Sequence, residues 1–497
     1  MRNRVTLTNM VTGLALQICL IVSGLILPRL ILRCFGSETN GLVASINQFL
    51  NYIVLVEGGL SAVVSAGLYR PLVQRDDAAL SAVLATARRF YTRVGCVFVI
   101  YAVALTVIYP LASGLDFGYT APLVAILALS NLVRYMFALT YMVLLAADKK
   151  RYVVSLVQSL IAVAGIVLSC LSVRIYPSIH LLTGVQAALA FLQPLIYRRY
   201  VRKHYAIDWR AVPDRSLLSQ RWNGFAINLA AFIHNSTDVV VLTLFTGLRT
   251  VSVYSVYALA TTGMKALVLS LTDGISSVIG LTYAGGVRAE IEEKMDLHEY
   301  TVFLLVFVIF TVGGLLITPF VLLYTRGVTD AAYRQPLFGV LLVLAEALYL
   351  AARPHMDLAF CANRFREITK PACIEAAINI AVSLILVRPL GLTGVAAGTA
   401  AAMLFHLVFY VSYTKKLIPG RKPARYYGRL GLFLAATALG APLCRYLFPM
   451  TECSVSAWLL RAAAYCAILG AVYVLLSLFA FRRELRYFAR YLKRDRK

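Results

Sequence analysis

Fourteen stretches of predominantly apolar residues follow one another along the chain, at about residues 7–32, 42–66, 93–112, 121–147, 153–173, 180–197, 222–246, 253–285, 300–324, 335–360, 371–388, 393–414, 429–447 and 457–480. A helix crosses the hydrocarbon core of a bilayer in roughly 20 such residues. The pattern therefore predicts an all-α polytopic membrane protein of about 14 transmembrane helices. Between the runs, one set of loops is short and the other is longer, basic and amphipathic. An even number of spans puts both termini on one side, and 36 of the 48 Lys and Arg residues then fall on that side. Cytoplasmic loops collect Lys and Arg, so both termini are expected in the cytoplasm.

Composition agrees: 60% of the 497 residues are hydrophobic and 14% charged, with mean hydropathy +0.77, whereas soluble domains carry about 25% charged residues. A soluble fold is excluded. The net charge of +25 would suggest nucleic acid in a soluble protein, but here its placement records topology, and nucleic acid is not an expected partner. Residues 77–93 and 481–497 read as basic amphipathic helices at the inner surface, facing anionic membrane lipids. The nine Cys show no ligand spacing, so no metal site is expected; Cys444 and Cys453 could pair across one outer loop. The first span lacks a cleavage site and continues into a second, so it is expected to remain in the mature protein.

The chain also resembles itself. FGSETNGLVAS (residues 35–45) parallels FTGLRTVSVYS (245–255), and EGGLSAVV (57–64) parallels DGISSVI (273–279). LTGVQAALA (182–190) matches LTGVAAGTA (392–400) at six of nine positions, and AADKKR (146–151) parallels CANRFR (361–366). The order is kept throughout, as expected for duplicated six-span halves of a transporter. The expected organisation is an N-terminal six-helix lobe over 1–197, a cytoplasmic linker over 198–222 and a C-terminal six-helix lobe over 223–414. Two additional transmembrane helices over 415–480 and a basic tail over 481–497 complete it. A central cleft between the lobes follows from their common orientation.

Ionisable groups within spans are costly, about 2.5–3.5 kcal/mol each on insertion scales, and should face a partner or a wet cavity. Here they are Arg29, Glu57, Arg134, Asp238, Lys265, Asp273, Glu346, Arg353, Asp357 and Glu375. Glu346, Arg353 and Asp357 fall within about 40° on one helical face, and Asn228, Asn235 and Asp238 share another. Both faces suit a polar interior; the competing account is that these charges pair with one another, as Arg353 with Asp357 one turn away. His234 and His406 are single intramembrane histidines, more ordinarily packing residues than proton carriers. Phosphate-loop, HExxH, GxSxG and dinucleotide motifs are missing, so transport is not expected to draw on ATP hydrolysis by this chain. A membrane glycosyltransferase or polymerase is disfavoured because the expected outer loops are short and poor in acids.

Fourteen spans, two lobes and no nucleotide motif resemble the multidrug/oligosaccharidyl-lipid/polysaccharide exporter superfamily, and especially its polysaccharide-transport branch of O-antigen and capsule repeat-unit flippases. Residues 27–72, LPRLILRCFGSETNGLVASINQFLNYIVLVEGGLSAVVSAGLYRPL, resemble that branch's first two spans; residues 235–257, NSTDVVVLTLFTGLRTVSVYSVY, resemble its seventh and eighth. The resemblance implies a flippase in a bacterial cytoplasmic membrane that moves an undecaprenyl-diphosphate-linked oligosaccharide by alternating access, alongside other polysaccharide-assembly proteins. It also implies coupling to a proton or sodium gradient and no cofactor. An anionic diphosphate calls for Arg or Lys, which makes Arg29, Arg134, Lys265 and Arg353 the candidate substrate-binding cations. Glu57, Asp238, Asp273, Glu346 and Asp357 are the candidate coupling or gating acids, with Asn228 and Asn235 as polar lining. An ion-coupled multidrug exporter is the alternative transporter, and a scaffold of an envelope-assembly complex is a third class.

Overall fold

Apolar runs of this length have nowhere to satisfy their backbone amides in lipid except within a helix, and a computed structural model is accordingly all-helical. It describes residues 2–57, 60–212, 236–285, 288–362, 364–449 and 454–481. Twelve helical segments among these are long and apolar enough to cross a membrane. The chain divides into two units, Met1–Phe232 and Ile233–Lys497.

Unit 1 holds α1 (Arg2–Leu50), α2 (Ile53–Glu57), α3 (Leu60–Gln74), α4 (Asp77–Ser113), α5 (Phe117–Val133), α6 (Leu139–Ala147), α7 (Arg151–Ile175) and α8 (Ile179–His204). The first two expected spans are not separated by a loop. The first lies within α1, and the second begins in a second arm of the same helix beyond a kink at Gly36, whose φ of 82° and ψ of 176° lie in a region essentially reserved for glycine, and runs on through α2 into α3. Tyr101 and Tyr109 of α4 pin the second arm, donating to the Phe49 carbonyl and the Ser45 hydroxyl at 2.8 Å each. The expected surface helix over 77–93 is likewise continuous with the following span. The 37 residues of α4 run about 55 Å at 1.5 Å per residue, and Leu80, Val83, Leu84 and Ala87 are buried by protein. Asp76 caps this helix, accepting from the Ala79 amide at 2.9 Å, and Asp116 caps α5 through the Tyr119 amide at 2.7 Å.

Unit 2 holds α9 (Ser236–Phe245), α10 (Leu248–Gly285), α11 (Arg288–Tyr324), α12 (Pro336–Cys361), α13 (Phe365–Leu390), α14 (Leu392–Leu417), α15 (Pro423–Leu447) and α16 (Val455–Ala480). Gly247, between α9 and α10, takes a φ of 93°, so the second unit also turns at a left-handed glycine. The helix pairings recur as the internal repeat predicts. In unit 1, α3 packs on α4, α4 on α5, α5 on α8 and α7 on α8; in unit 2, α10 packs on α11, α11 on α12, α12 on α14 and α13 on α14.

The last two helices have no counterpart in unit 1 and pack on α11. Phe433 of α15 is their centre, with ring centroids 5.1 Å from Phe307, 5.4 Å from Tyr473 and 5.6 Å from Phe303. Beside this core, Arg421, Arg425 and Arg429 reach Asp296 of α11 at 2.9, 3.0 and 3.1 Å. Arg421 and Arg429 also reach Glu299, at 2.5 and 3.0 Å. Half of this basic loop, counted in the sequence as a topology signal, is thus committed to acids. Burial works against the charge of Arg421, but Glu299 and Asp296 outweigh it and hold the guanidinium above its ordinary value. Cys444 is a free, buried thiol; Cys453 lies outside the described residues.

The expected inter-lobe linker is partly helical, since α8 continues to His204. Tyr205 then donates to Asp148 at 2.6 Å, and Trp209 packs on Tyr141 with Arg88 5.2 Å over its ring. Burial, followed by that hydrogen bond, pushes the Tyr205 phenol well above its usual range.

Candidate functional site

Each unit carries its own polar cluster within apolar helices. In unit 1 the fourth span is interrupted by a π-helical turn over Arg134–Ala138, between α5 and α6. Such single turns insert one residue into the helix and redirect the side chains around it. Arg134 opens the turn with its side chain exposed and, among the described residues, without an ion pair, while Tyr135 beside it is buried. Glu57 ends α2 and binds the Ser61 hydroxyl, which is 2.9 Å from the Tyr91 hydroxyl. Arg29 is half-buried in the first arm of α1, next to Pro28.

In unit 2 the structure brings most of the sequence candidates together, as pairs. Lys265 of α10 is 3.0 Å from Glu346 of α12 and 4.2 Å over the Tyr349 ring. Arg353 Nε is 2.8 Å from Asp357 one turn on. Lys265 and Arg353 are therefore each matched by an acid at contact distance. The shared face of Glu346, Arg353 and Asp357 on α12 is present, and its charge is balanced from α10 and from within.

Asp238 has a different setting. It is 4% exposed, and both carboxylate oxygens face the Thr399 hydroxyl of α14, at 3.1 and 3.0 Å. Tyr254 of α10 donates to the same carboxylate at 3.0 Å. The Asn379 amide of α13 donates to Thr399 at 3.1 Å, and the Val395 carbonyl lies 3.2 Å from the same hydroxyl. A hydroxyl has a single proton, yet three oxygens on Asp238 and Val395 are within its reach. Asn379 Oδ1 is buried with no hydrogen-bond partner among the described residues. The cluster is rich in acceptors and poor in donors, which is the composition that accommodates a small hard cation or a proton. No group of three or more His, Cys, Asp or Glu suited to a metal ion occurs among the described residues.

The close approach of α13 and α14 makes this geometry possible. A Cβ on Gly398 would lie 2.8 Å from the Ser383 amide nitrogen and 3.0 Å from the Asn379 carbonyl, so only glycine lets the two backbones meet here. Asn228 and Asn235 lie outside the described residues, as does His234; Asp273 lies within helical backbone of α10, with its side chain outside the described set.

Two helix-paired units with two extra helices on the second have known counterparts. This chain shares its fold with the lipid II flippase MurJ. An inward closed structure of that protein superposes with a TM-score of 0.74 at 14% identity, covering 95% of this chain and 99% of MurJ. An inward-facing multidrug resistance MATE family transporter of the MOP superfamily gives 0.64 at 15% identity, covering 82% of this chain and 96% of the transporter. The MATE multidrug transporter DinF-BH gives 0.62 at 15% identity over 84% of this chain and 96% of its own. No protein-family model and no curated protein matches the sequence. These neighbours are transporters and, at such identities, establish the fold of a multi-pass membrane protein of this class.

Several residues of the clusters were not singled out from sequence. Thr399 carries no charge to draw attention, but it stands where the first copy of the repeat has Leu189, and this asymmetry was readable in LTGVQAALA against LTGVAAGTA. Tyr254 and Asn379 gave no such signal. Asp296, His298 and Glu299 lie just before the ninth expected span and so did not stand out as charges within one, while buried His355 beside them lies inside the tenth expected span and was not singled out.

Proposed function

We propose that this chain is a flippase that translocates an undecaprenyl-diphosphate-linked oligosaccharide across the bacterial cytoplasmic membrane by alternating access, for cell-surface polysaccharide biosynthesis. The observation that carries the reading is the extent of the shared fold. The MurJ structure covers 95% of the chain and the MATE structure 82%.

The charge distribution adds to this reading. With Lys265 and Arg353 matched by acids, recognition of an anionic diphosphate is assigned first to Arg134 at the π-helical turn, with Arg29 as the second candidate of the first unit. Cation coupling falls to Asp238 and its oxygen cluster, while Glu57 and Asp273 stand at equivalent places in the repeat as gating acids. In transporters of this kind, irregular backbone and carbonyl oxygens serve as ion sites. The two units, 1–197 with its linker and 223–414, are the moving bodies, with both termini cytoplasmic. The multidrug alternative draws on Asp238 and Glu375, acids in the second unit that would suit an organic cation.

Deletion of the gene followed by lipid analysis tests the proposal. Lipid-linked oligosaccharide accumulating on the cytoplasmic face is the expected result; altered drug sensitivity with normal glycan would favour the multidrug reading, and unpolymerised glycan outside a polymerase. Arg134→Ala should abolish surface polysaccharide at unchanged protein abundance, and unchanged polymer would remove Arg134 from the substrate site.

A further inference from the structure

Beyond Asp238, the α13–α14 seam carries a second buried ionisable pair. Thr399, His406 and Tyr413 are spaced by seven residues on α14, which places them on one stripe at intervals of about 10 Å. Each meets a polar group of α13. Asn379 donates to Thr399, His406 Nδ1 lies 2.6 Å from Glu375 Oε2, and Tyr413 donates to Glu367 at 2.9 Å. Glu367, with its side chain 42% exposed and paired to Arg364, marks the end of the seam that opens to solvent. Glu375 and His406 lie about 10 Å further along the same seam, and Asn379 and Thr399 about 10 Å beyond them.

We propose that Glu375 and His406 form a proton-binding site, loaded from the Glu367 end of the seam, distinct from the Asp238 cluster and serving the cation coupling proposed above, on which its role in transport rests. Both side chains are almost wholly buried, at 13% and 5% exposure. The Nδ1 contact holds whether the ring is neutral or charged, because Nδ1–H donates to the carboxylate in both forms. The other nitrogen, Nε2, is buried and has no hydrogen-bond partner among the described residues, and it is the atom that accepts the proton. Loading converts imidazole and carboxylate, net −1, into an imidazolium–carboxylate pair of net charge zero; unloading returns the proton to water at the seam's open end.

The surroundings favour a proton over a fixed counter-ion. His406 faces Tyr410 at 4.6 Å and Tyr349 at 5.5 Å between ring centroids. The cations behind Tyr349, Lys265 and Arg353, are already matched by Glu346 and Asp357. On the far side, Asp238 is another acid on α9. Among the described residues named here no excess cation offsets the unloaded pair, and a net charge inside an apolar span is costly. Neutralising it with a proton leaves the packing of α13 on α14 intact.

The test uses the full-length protein in lipid nanodiscs with ¹⁵N-labelled histidine, the His406 signals being assigned by their loss in His406→Gln. The His406 ring should show both the one-proton and the two-proton form as the pH of the medium is varied, and Glu375→Gln should lower the share of the two-proton form at a given pH. A ring pattern that is constant with pH, or that responds to Na⁺ at fixed pH and not to pH, overturns the site. The readout is independent of cargo. A titrating His406 in a protein whose deletion leaves lipid-linked sugars unchanged would retain the proton site and remove the flippase reading, and the converse result would do the opposite. In the coupled protein, Glu375→Gln should flatten the pH profile of glycan export, whereas a uniform loss at every pH would assign the pair a packing role only.

Discussion

Buried charges in this protein differ by what happens when one partner is lost. Arg429 is 6% exposed and binds Asp296 and Glu299, so Arg429→Ala removes a buried cation that both carboxylates share with Arg421. Breaking a buried pair from one side costs roughly 3–5 kcal/mol. We expect a marked drop in the thermal unfolding midpoint. Asp238→Asn is predicted to behave in the opposite way. It keeps the size of the side chain and its contacts with Thr399 and Tyr254, so abundance should hold while glycan export ceases to respond to an imposed proton or sodium gradient. A response equal to wild type would take Asp238 out of the coupling site.

At the scale of the helix, single glycines decide the course of long elements. Gly36 turns α1 with a backbone that L side chains rarely adopt, and Gly36→Ala should cost about 1–3 kcal/mol without removing any side-chain contact. A lowered unfolding midpoint at unchanged membrane insertion is the expected signature. Gly398 acts by proximity instead. Gly398→Ala must push α13 off α14, which separates Asn379 from Thr399 and loosens the neighbouring Glu375–His406 contact. Export should fall more than abundance, and a variant as active as wild type would mean that the seam tolerates a wider spacing. Apolar periodicity could locate these helices, but it has no access to a backbone angle or to an interhelical distance. That is why the sequence suggested a loop between the first two spans and a separate surface helix at residues 77–93.

At the scale of the whole molecule, the chain is two units, and every hydrogen bond and ion pair described above joins residues of the same unit. Cutting the chain after residue 212, beyond the strap that Tyr205 and Trp209 lay on the first unit, removes none of them. Two co-expressed pieces, 1–212 and 213–497, are therefore expected to restore surface polysaccharide in a deletion strain. Failure with both pieces present in the membrane would show that the covalent connection itself carries force between the units.

The sequence alone determined that the chain is helical and spans a membrane many times, because these properties follow from local hydrophobicity. It also flagged nearly every ionisable residue of the candidate sites, since a charge in an apolar run is conspicuous wherever it lies. Which charge meets which was decided only in three dimensions. Lys265 and Glu346 are 81 residues apart, Asp238 and Thr399 161 residues apart, and nothing in either segment names its partner. The same holds for the neutral groups: a threonine or an asparagine inside a span looks like packing until a carboxylate from another helix is found against it.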